Sequence, residues 1–267
     1  MKYYECENGV LYCENCLDTM GGMEDNSVDL TVTSPPYDGL RDYNGYSFDF
    51  ESIARELFRV TVIGGVVVWV VGDATVNGSE SGTSFRQALY FKEIGFNLHD
   101  TMIWRKSGIP RNCNRYEPEF EYMFILSIGA PNVFNPIKTR KLYKDNRSTK
   151  QAGRFKDGSI KIGFAKQTNT KVMGNVWNIP VGGGLTTKDK IAYKHPAIFP
   201  DKLAQDHILS WSNEGDTVYD PFMGSGTTAR MACHNNRRFI GSELSAEYCE
   251  IAKQRMESER SQLTIDL

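Results

Sequence analysis

Short apolar runs alternate along this chain with stretches whose apolar residues recur at helical spacing, and that alternation predicts a parallel sheet with crossover helices. Residues 10–12 read as a first strand and residues 17–23 as a short helical turn. Residues 28–33 have the length and β-branched content of a buried strand. Ile53, Ala54, Leu57 and Phe58 predict a helix over 50–61 with one face on the sheet, and Gly64-Gly65 is expected to end it. Residues 66–71 are apolar at every position, as a central strand buried on both faces should be. A helix over 84–94, a strand over 98–104 and an antiparallel strand over 121–126 complete this half.

After Gly129 the periodicity fades. Residues 131–190 are rich in Asn, Thr, Gly, Lys and Arg, and a structureless loop of that length is out of place in a compact domain. We read the stretch as an inserted subdomain or a segment ordered by its ligand, dividing the chain into 1–130, 131–190 and 191–267. In the last part Pro200 opens a helix with Leu203, His207, Ile208 and Trp211 on one face. A strand over 217–219, a helix over 227–235 and a strand over 239–242 follow. Ser245 is placed to cap a final helix running to about Ser261.

With 40% hydrophobic and 24% charged residues, the composition is that of an ordinary soluble globular protein. The longest apolar stretch, 60–71, is broken by Thr61, Gly64 and Gly65 and is too short to span a bilayer. The first residues lack the apolar core of a secretory leader, so no membrane partner and a cytoplasmic location are expected. Of six cysteines only Cys13 and Cys16 have ligand spacing, and no second pair completes a metal site. The four histidines are scattered, which points to structural or surface roles. A net charge of −2 hides an uneven distribution: residues 138–171 hold eleven Lys/Arg against two acids. Such a basic block in an otherwise acidic chain is a candidate polyanion-binding surface, with a solvated loop as the competing reading.

Two prolines must stop the strand at 28–33, because neither can donate a ladder hydrogen bond. Thr33-Ser34-Pro35-Pro36-Tyr37 is therefore a stiff loop at a strand's carboxyl end. Its Ser34 hydroxyl and Pro35 carbonyl form a fixed acceptor pair, with Tyr37 beside them as an aromatic face. That group suits an exocyclic amine on a flat heterocycle. A strand-ending turn with a packed tyrosine is the plain alternative.

A second loop, Asp220-Pro221-Phe222-Met223-Gly224-Ser225-Gly226, follows a strand. Residues 224–229 match G-x-G-x-x-A at the start of a helix, and Glu243 ends the next strand. Backbone can approach a ligand closely there while the acid holds a ribose diol, which marks an adenosine-containing cofactor. Taken alone, this site suggests a nicotinamide-dependent oxidoreductase. A dehydrogenase, however, has no obvious use for an amine clamp, whereas an enzyme joining an adenosine cofactor to a base's amino group needs both.

Together the two motifs look like the catalytic and S-adenosylmethionine motifs of the DNA amino-methyltransferases. Their order resembles that of the family's permuted β group: catalytic motif, basic region, then cofactor motif. The likeness runs from about Leu11 to Arg255. It implies an α/β fold with a doubly wound, mostly parallel, seven-stranded Rossmann-like sheet whose first strands in space come last in sequence. It also implies catalytic roles for Ser34, Pro35, Pro36 and Tyr37 on a flipped base. Asp220, Phe222, Gly224 and Gly226 would line the S-adenosylmethionine site, with Glu243 on the ribose. Phe199, Pro200 and Lys202 would contact the methionine moiety, and Asn15 stands where the family usually has an acid near the adenine. The implied partner is double-stranded DNA, its phosphates held by the basic region. The resemblance leaves room for a cognate restriction endonuclease and a homodimer. Within the family a serine at the first motif position leans toward cytosine N4, and aspartate is the commoner choice for adenine N6.

Overall fold

A computed structural model describes residues 1–36, 48–106, 114–141, 150–154, 157–164, 168–182 and 184–265. Its main unit comprises Met1–Asn135 and Asn175–Leu267, and Pro136–Gly174 forms a second compact unit.

In the main unit β1 (Lys2–Cys6) turns back antiparallel as β2 (Gly9–Cys13). Asn15 then caps α1 (Cys16–Gly21). β3 (Val28–Thr33) buries Val28, Leu30 and Val32 completely and stops at the two prolines. α2 (Phe50–Val60) buries Ile53, Ala54, Leu57 and Val60, and β4 (Thr61–Val71) starts at the next residue. Thr61 Oγ1 donates to the Leu57 carbonyl at 2.6 Å, which satisfies the helix end without a glycine. Gly64-Gly65 therefore lies inside β4 instead of ending the helix. Its use there is steric: at φ +81° a Gly64 Cβ would stand 2.2 Å from the Asn132 side chain.

A small hairpin, β5 (Thr75–Val76) and β6 (Ser79–Glu80), leads to α3 (Thr83–Glu93), then β7 (Asn97–Arg105) and β8 (Phe120–Ser127). The second unit pairs β9 (Lys138–Arg140) with β12 (Thr170–Val172), and β10 (Lys150–Arg154) with β11 (Ile160–Phe164), each antiparallel. Back in the main unit come β13 (Val176–Asn178), a 3₁₀ turn (Lys190–Lys194), α4 (Asp201–Trp211), β14 (Thr217–Asp220), α5 (Thr227–His234), β15 (Arg238–Glu243) and α6 (Ala246–Ile265).

The sheet order is β1-β2-β15-β14-β3-β4-β8-β7-β13. The expected seven strands run from β2 to β7, and β1 and β13 extend the two edges to nine. Both edge strands are hard to read from pattern: β1 is mostly polar, and β13 is three residues long. What anchors β13 is Trp177, buried and stacked on His207 at 4.5 Å. Residues 175–182, read above as part of the 131–190 insertion, thus belong to the main unit. The middle of the sheet is apolar on both faces. Val67, Trp69 and Val71 pack in one core cluster with α2 and Phe91 of α3, while Val66, Val68 and Val70, equally buried, alternate to the other face. No described helix is long and apolar enough to cross a membrane.

Candidate active site

β2, β15, β14, β3 and β4 are joined by parallel pairings throughout, so Cys13, Glu243, Asp220, Thr33 and Val71 end at one edge of the sheet. β14 lies between β15 and β3, and the chain winds outward from it in both directions. A crevice at strand carboxyl ends is the usual ligand position at such a reversal of strand order.

The two loops singled out by sequence leave adjacent strands, and side chains tie them together. Thr33 Oγ1 donates to Asp220 Oδ1 at 2.6 Å. The same oxygen accepts the Phe222 N–H at 3.0 Å, and Thr228 Oγ1 donates to the Val32 carbonyl at 3.1 Å. The strand end that leads into Ser34 is therefore bonded to both flanks of the glycine loop. Burial pushes the Asp220 carboxyl up to about 6, against the opposing pull of those donors. Pro35 is buried; Ser34 and Pro36 are half-buried. Tyr37 lies outside the described residues.

Beyond Asp220 the loop closes on itself. Met223 N donates to the Ser242 carbonyl and Gly226 N to the Met223 carbonyl, both at 2.8 Å. Gly224 N donates to Glu243 Oε2 at 2.8 Å, and Ser245 N to Glu243 Oε1 at 2.9 Å. Burial raises the Glu243 carboxyl pKa, and these amides oppose the rise. Gly224 and Gly226 have φ of +51° and +80°, left-handed conformations that favour glycine. A Cβ on Gly224 would stand 3.3 Å from His195 Nε2, and one on Gly226 2.8 Å from the Ala252 Cβ. Phe222 walls the loop on its β4 side, edge-on to Phe48 at 5.7 Å and to Trp69 at 6.2 Å.

Hydrogen bonds thus pair Asp220 with Phe222 and Gly224 with Glu243 in one loop, with Gly226 in the same turn. Other candidates stand further out. Asn15 follows β2, whose Cys13 is in register with Glu243, and its side chain accepts the Leu17 N–H at 2.9 Å. Pro200 is buried at the start of α4, and Phe199 is half-buried. Lys202 is 64% exposed and pairs with Asp206 along α4 at 2.6 Å. His195, given only a structural or surface role by its position in the sequence, packs beside Gly224 and meets the Tyr248 ring edge-on at 4.2 Å. Its place in the segment just before α4 was the available signal. Thr33 and Thr228 carry no motif-independent signal, because threonine in a buried strand or helix start reads as packing.

Among the described residues no cluster of three or more His, Cys, Asp or Glu could hold a metal ion. Burial pushes the Cys16 thiol up to about 12, the opposite of what a ligating thiolate needs.

Residues 28–254 match the family model described as DNA methylase. An orphan methyltransferase of Bacillus amyloliquefaciens, M.BamHII, is 60% identical over 240 residues, covering 88% of this chain and 90% of its own. A Thermus thermophilus protein described as a DNA modification methylase, solved with S-adenosyl-L-methionine, is 27% identical with a TM-score of 0.63 and covers 93% of each chain. The PvuII cytosine-N4-specific DNA methyltransferase has a TM-score of 0.69 over 96% of this chain and 91% of its own; at 20% identity the likeness speaks for the fold alone. On the family match and the Bacillus relative together, the chain belongs to the DNA methylase family, the amino-methyltransferases of cytosine N4 and adenine N6.

Proposed function

We propose that the protein transfers a methyl group from S-adenosylmethionine to the exocyclic amine of a base in double-stranded DNA, with cytosine N4 as the target. The observation that carries this reading is the Thr33–Asp220 hydrogen bond, which sets the proline loop and the glycine loop side by side at one sheet edge. The residues fit the cofactor. Each Glu243 oxygen keeps a lone pair for a ribose hydroxyl after accepting its amide, and the left-handed turn at Gly224 and Gly226 is held between His195 and Ala252. Asn15, with its oxygen turned to Leu17, offers its amide N–H groups to an adenine ring nitrogen.

When bound, S-adenosylmethionine supplies a sulfonium methyl group for in-line transfer. The chain's own work is on the amine, a poor nucleophile because its lone pair is delocalised into the ring. The Ser34 hydroxyl oxygen and the Pro35 carbonyl accept its two N–H bonds. They favour a pyramidal nitrogen with a localised lone pair, most strongly as positive charge develops there. Holding the amine in line supplies much of the remaining acceleration. Serine is a weak base, so the proton leaves after the methyl arrives. A paired base is out of reach, so it is flipped into the crevice, where Tyr37 stacks on it. The basic residues of 138–171 hold phosphates.

Ser34 at the first motif position favours cytosine N4, with adenine N6 as the alternative. The Bacillus relative's description as an orphan favours an enzyme acting without a cognate restriction endonuclease. The test is to incubate DNA with the pure enzyme and S-adenosylmethionine, digest it and separate the nucleosides by mass. N4-methylcytosine is expected; N6-methyladenine would reassign the base, and neither product would sink the reading. Thermal shift with S-adenosylmethionine against NAD separates this activity from an oxidoreductase.

A further inference from the structure

Arg255 of α6 is a cation with no exposed side-chain surface. Its Nη1 donates to the Ser225 carbonyl at 2.7 Å and to Ser225 Oγ and Thr227 Oγ1 at 3.0 Å each. Nε donates to Asp189 Oδ2 at 2.7 Å and Nη2 to Asp201 Oδ1 at 3.2 Å. A buried guanidinium is costly unless its donors are satisfied, and here every nitrogen has a partner. Three residues earlier on the same helix face, Ala252 meets Gly226. α6 thus grips the glycine loop at two points.

The two carboxylates extend that grip. Asp189 caps the 3₁₀ turn by accepting the Ile191 N–H at 2.9 Å, and Asp201 is the first residue of α4. Between them runs the segment that sets His195 against Gly224. One guanidinium therefore fastens the glycine loop to both ends of the segment facing it. A lysine ammonium, a point charge on a flexible stem, cannot reproduce this planar fork.

We infer that Arg255 is the positioning residue of the S-adenosylmethionine loop: it fixes Ser225 against the 189–201 segment and so sets cofactor affinity from outside the pocket. This rests on the reading of residues 222–226 as the cofactor loop.

Four variants test it: Arg255→Lys, Arg230→Lys, Glu243→Ala and Asp189→Asn. For each, the S-adenosylmethionine dissociation constant, the melting temperature without ligand, and kcat at saturating cofactor are measured. Arg230 serves as control because it bonds Asp201 and Glu259 in the same ionic network. Arg255→Lys should bind S-adenosylmethionine about tenfold or more weakly, the loss expected from one or two charge-assisted hydrogen bonds, while kcat at saturation is kept. Arg230→Lys should melt lower with wild-type affinity. The proposal is overturned if folded Arg255→Lys binds as wild type does, or if Arg230→Lys weakens binding equally. Weak binding by Glu243→Ala with wild-type binding by Arg255→Lys removes the positioning role alone; wild-type binding by both removes the cofactor loop itself. If Arg255→Lys does not fold, Asp189→Asn decides in its place: weaker binding supports the role, and wild-type affinity overturns it.

Discussion

The Thr33 hydroxyl donates to Asp220 across 2.6 Å, so the last residue of one strand clasps the last residue of its neighbour beneath both candidate loops. Burial raises this carboxyl to about 6. Between about pH 4 and 6 the folded chain keeps a proton that the unfolded chain has released. The group's contribution to stability is therefore full below pH 4 and is lost as the pH rises through 6. Asp220→Asn removes the titration but keeps an oxygen for Thr33 and for the Phe222 N–H. Melting temperatures from pH 4 to 7 should show the variant losing less stability than wild type over that window. Superimposable profiles would mean that Asp220 titrates as an ordinary carboxyl.

Which parts of this architecture are legible in the sequence follows from where the signal resides. Proline and glycine act on their own backbone, so the ends of β3 and β14 can be read from a few residues. The apolar run of β4 is equally plain, since burial on both faces leaves no alternation to misread. Gly64-Gly65 misleads because a glycine pair also serves close approach, and the approaching Asn132 is far away in sequence. Trp177 is one of several scattered aromatics in the sequence, and only the fold sets β7 and His207 beside it. Arg255 is visible there only as a member of a helical face; its five acceptors come from three distant segments.

The roles proposed for Ser34 and Tyr37 can be separated from cofactor binding. On the proposed mechanism Ser34→Ala would remove one of two acceptors for the amine, and losing a donor or acceptor of this kind costs about 10²-fold or more in kcat. On the same proposal Tyr37→Ala would remove a stacking face, worth about 1–3 kcal/mol on a base. Both variants should bind S-adenosylmethionine with wild-type affinity by calorimetry while transferring methyl groups slowly in a single-turnover assay. Unchanged transfer rates in both would strip these residues of their assigned roles.

Gly226 and Gly224 differ in what surrounds them, and their alanine variants should differ accordingly. Both positions need left-handed backbone, which costs a residue with a Cβ about 1–2 kcal/mol. At Gly226 the new methyl also meets the Ala252 Cβ at 2.8 Å, and forced overpacking of that kind costs about 1–3 kcal/mol more. Gly226→Ala should therefore melt well below Gly224→Ala, whose methyl meets His195 at 3.3 Å. Equal melting temperatures would show that α6 yields at Ala252 and does not hold the loop.

The second unit carries the charge that phosphate binding would use. Its β9 sets Lys138 and Arg140 two residues apart, both exposed and on one face of the two-stranded sheet that β9 forms with β12. By counterion release, the slope of log K against log salt flattens by about 0.9 for every phosphate that is no longer neutralised. The double variant Lys138→Ala/Arg140→Ala should thus bind duplex DNA more weakly at low salt, with a slope flatter by between one and two such steps. The variant should leave S-adenosylmethionine affinity untouched, because neither residue belongs to the main unit. Weaker DNA binding with an unaltered slope would mean that these two cations act on the fold of this small sheet and not on phosphate.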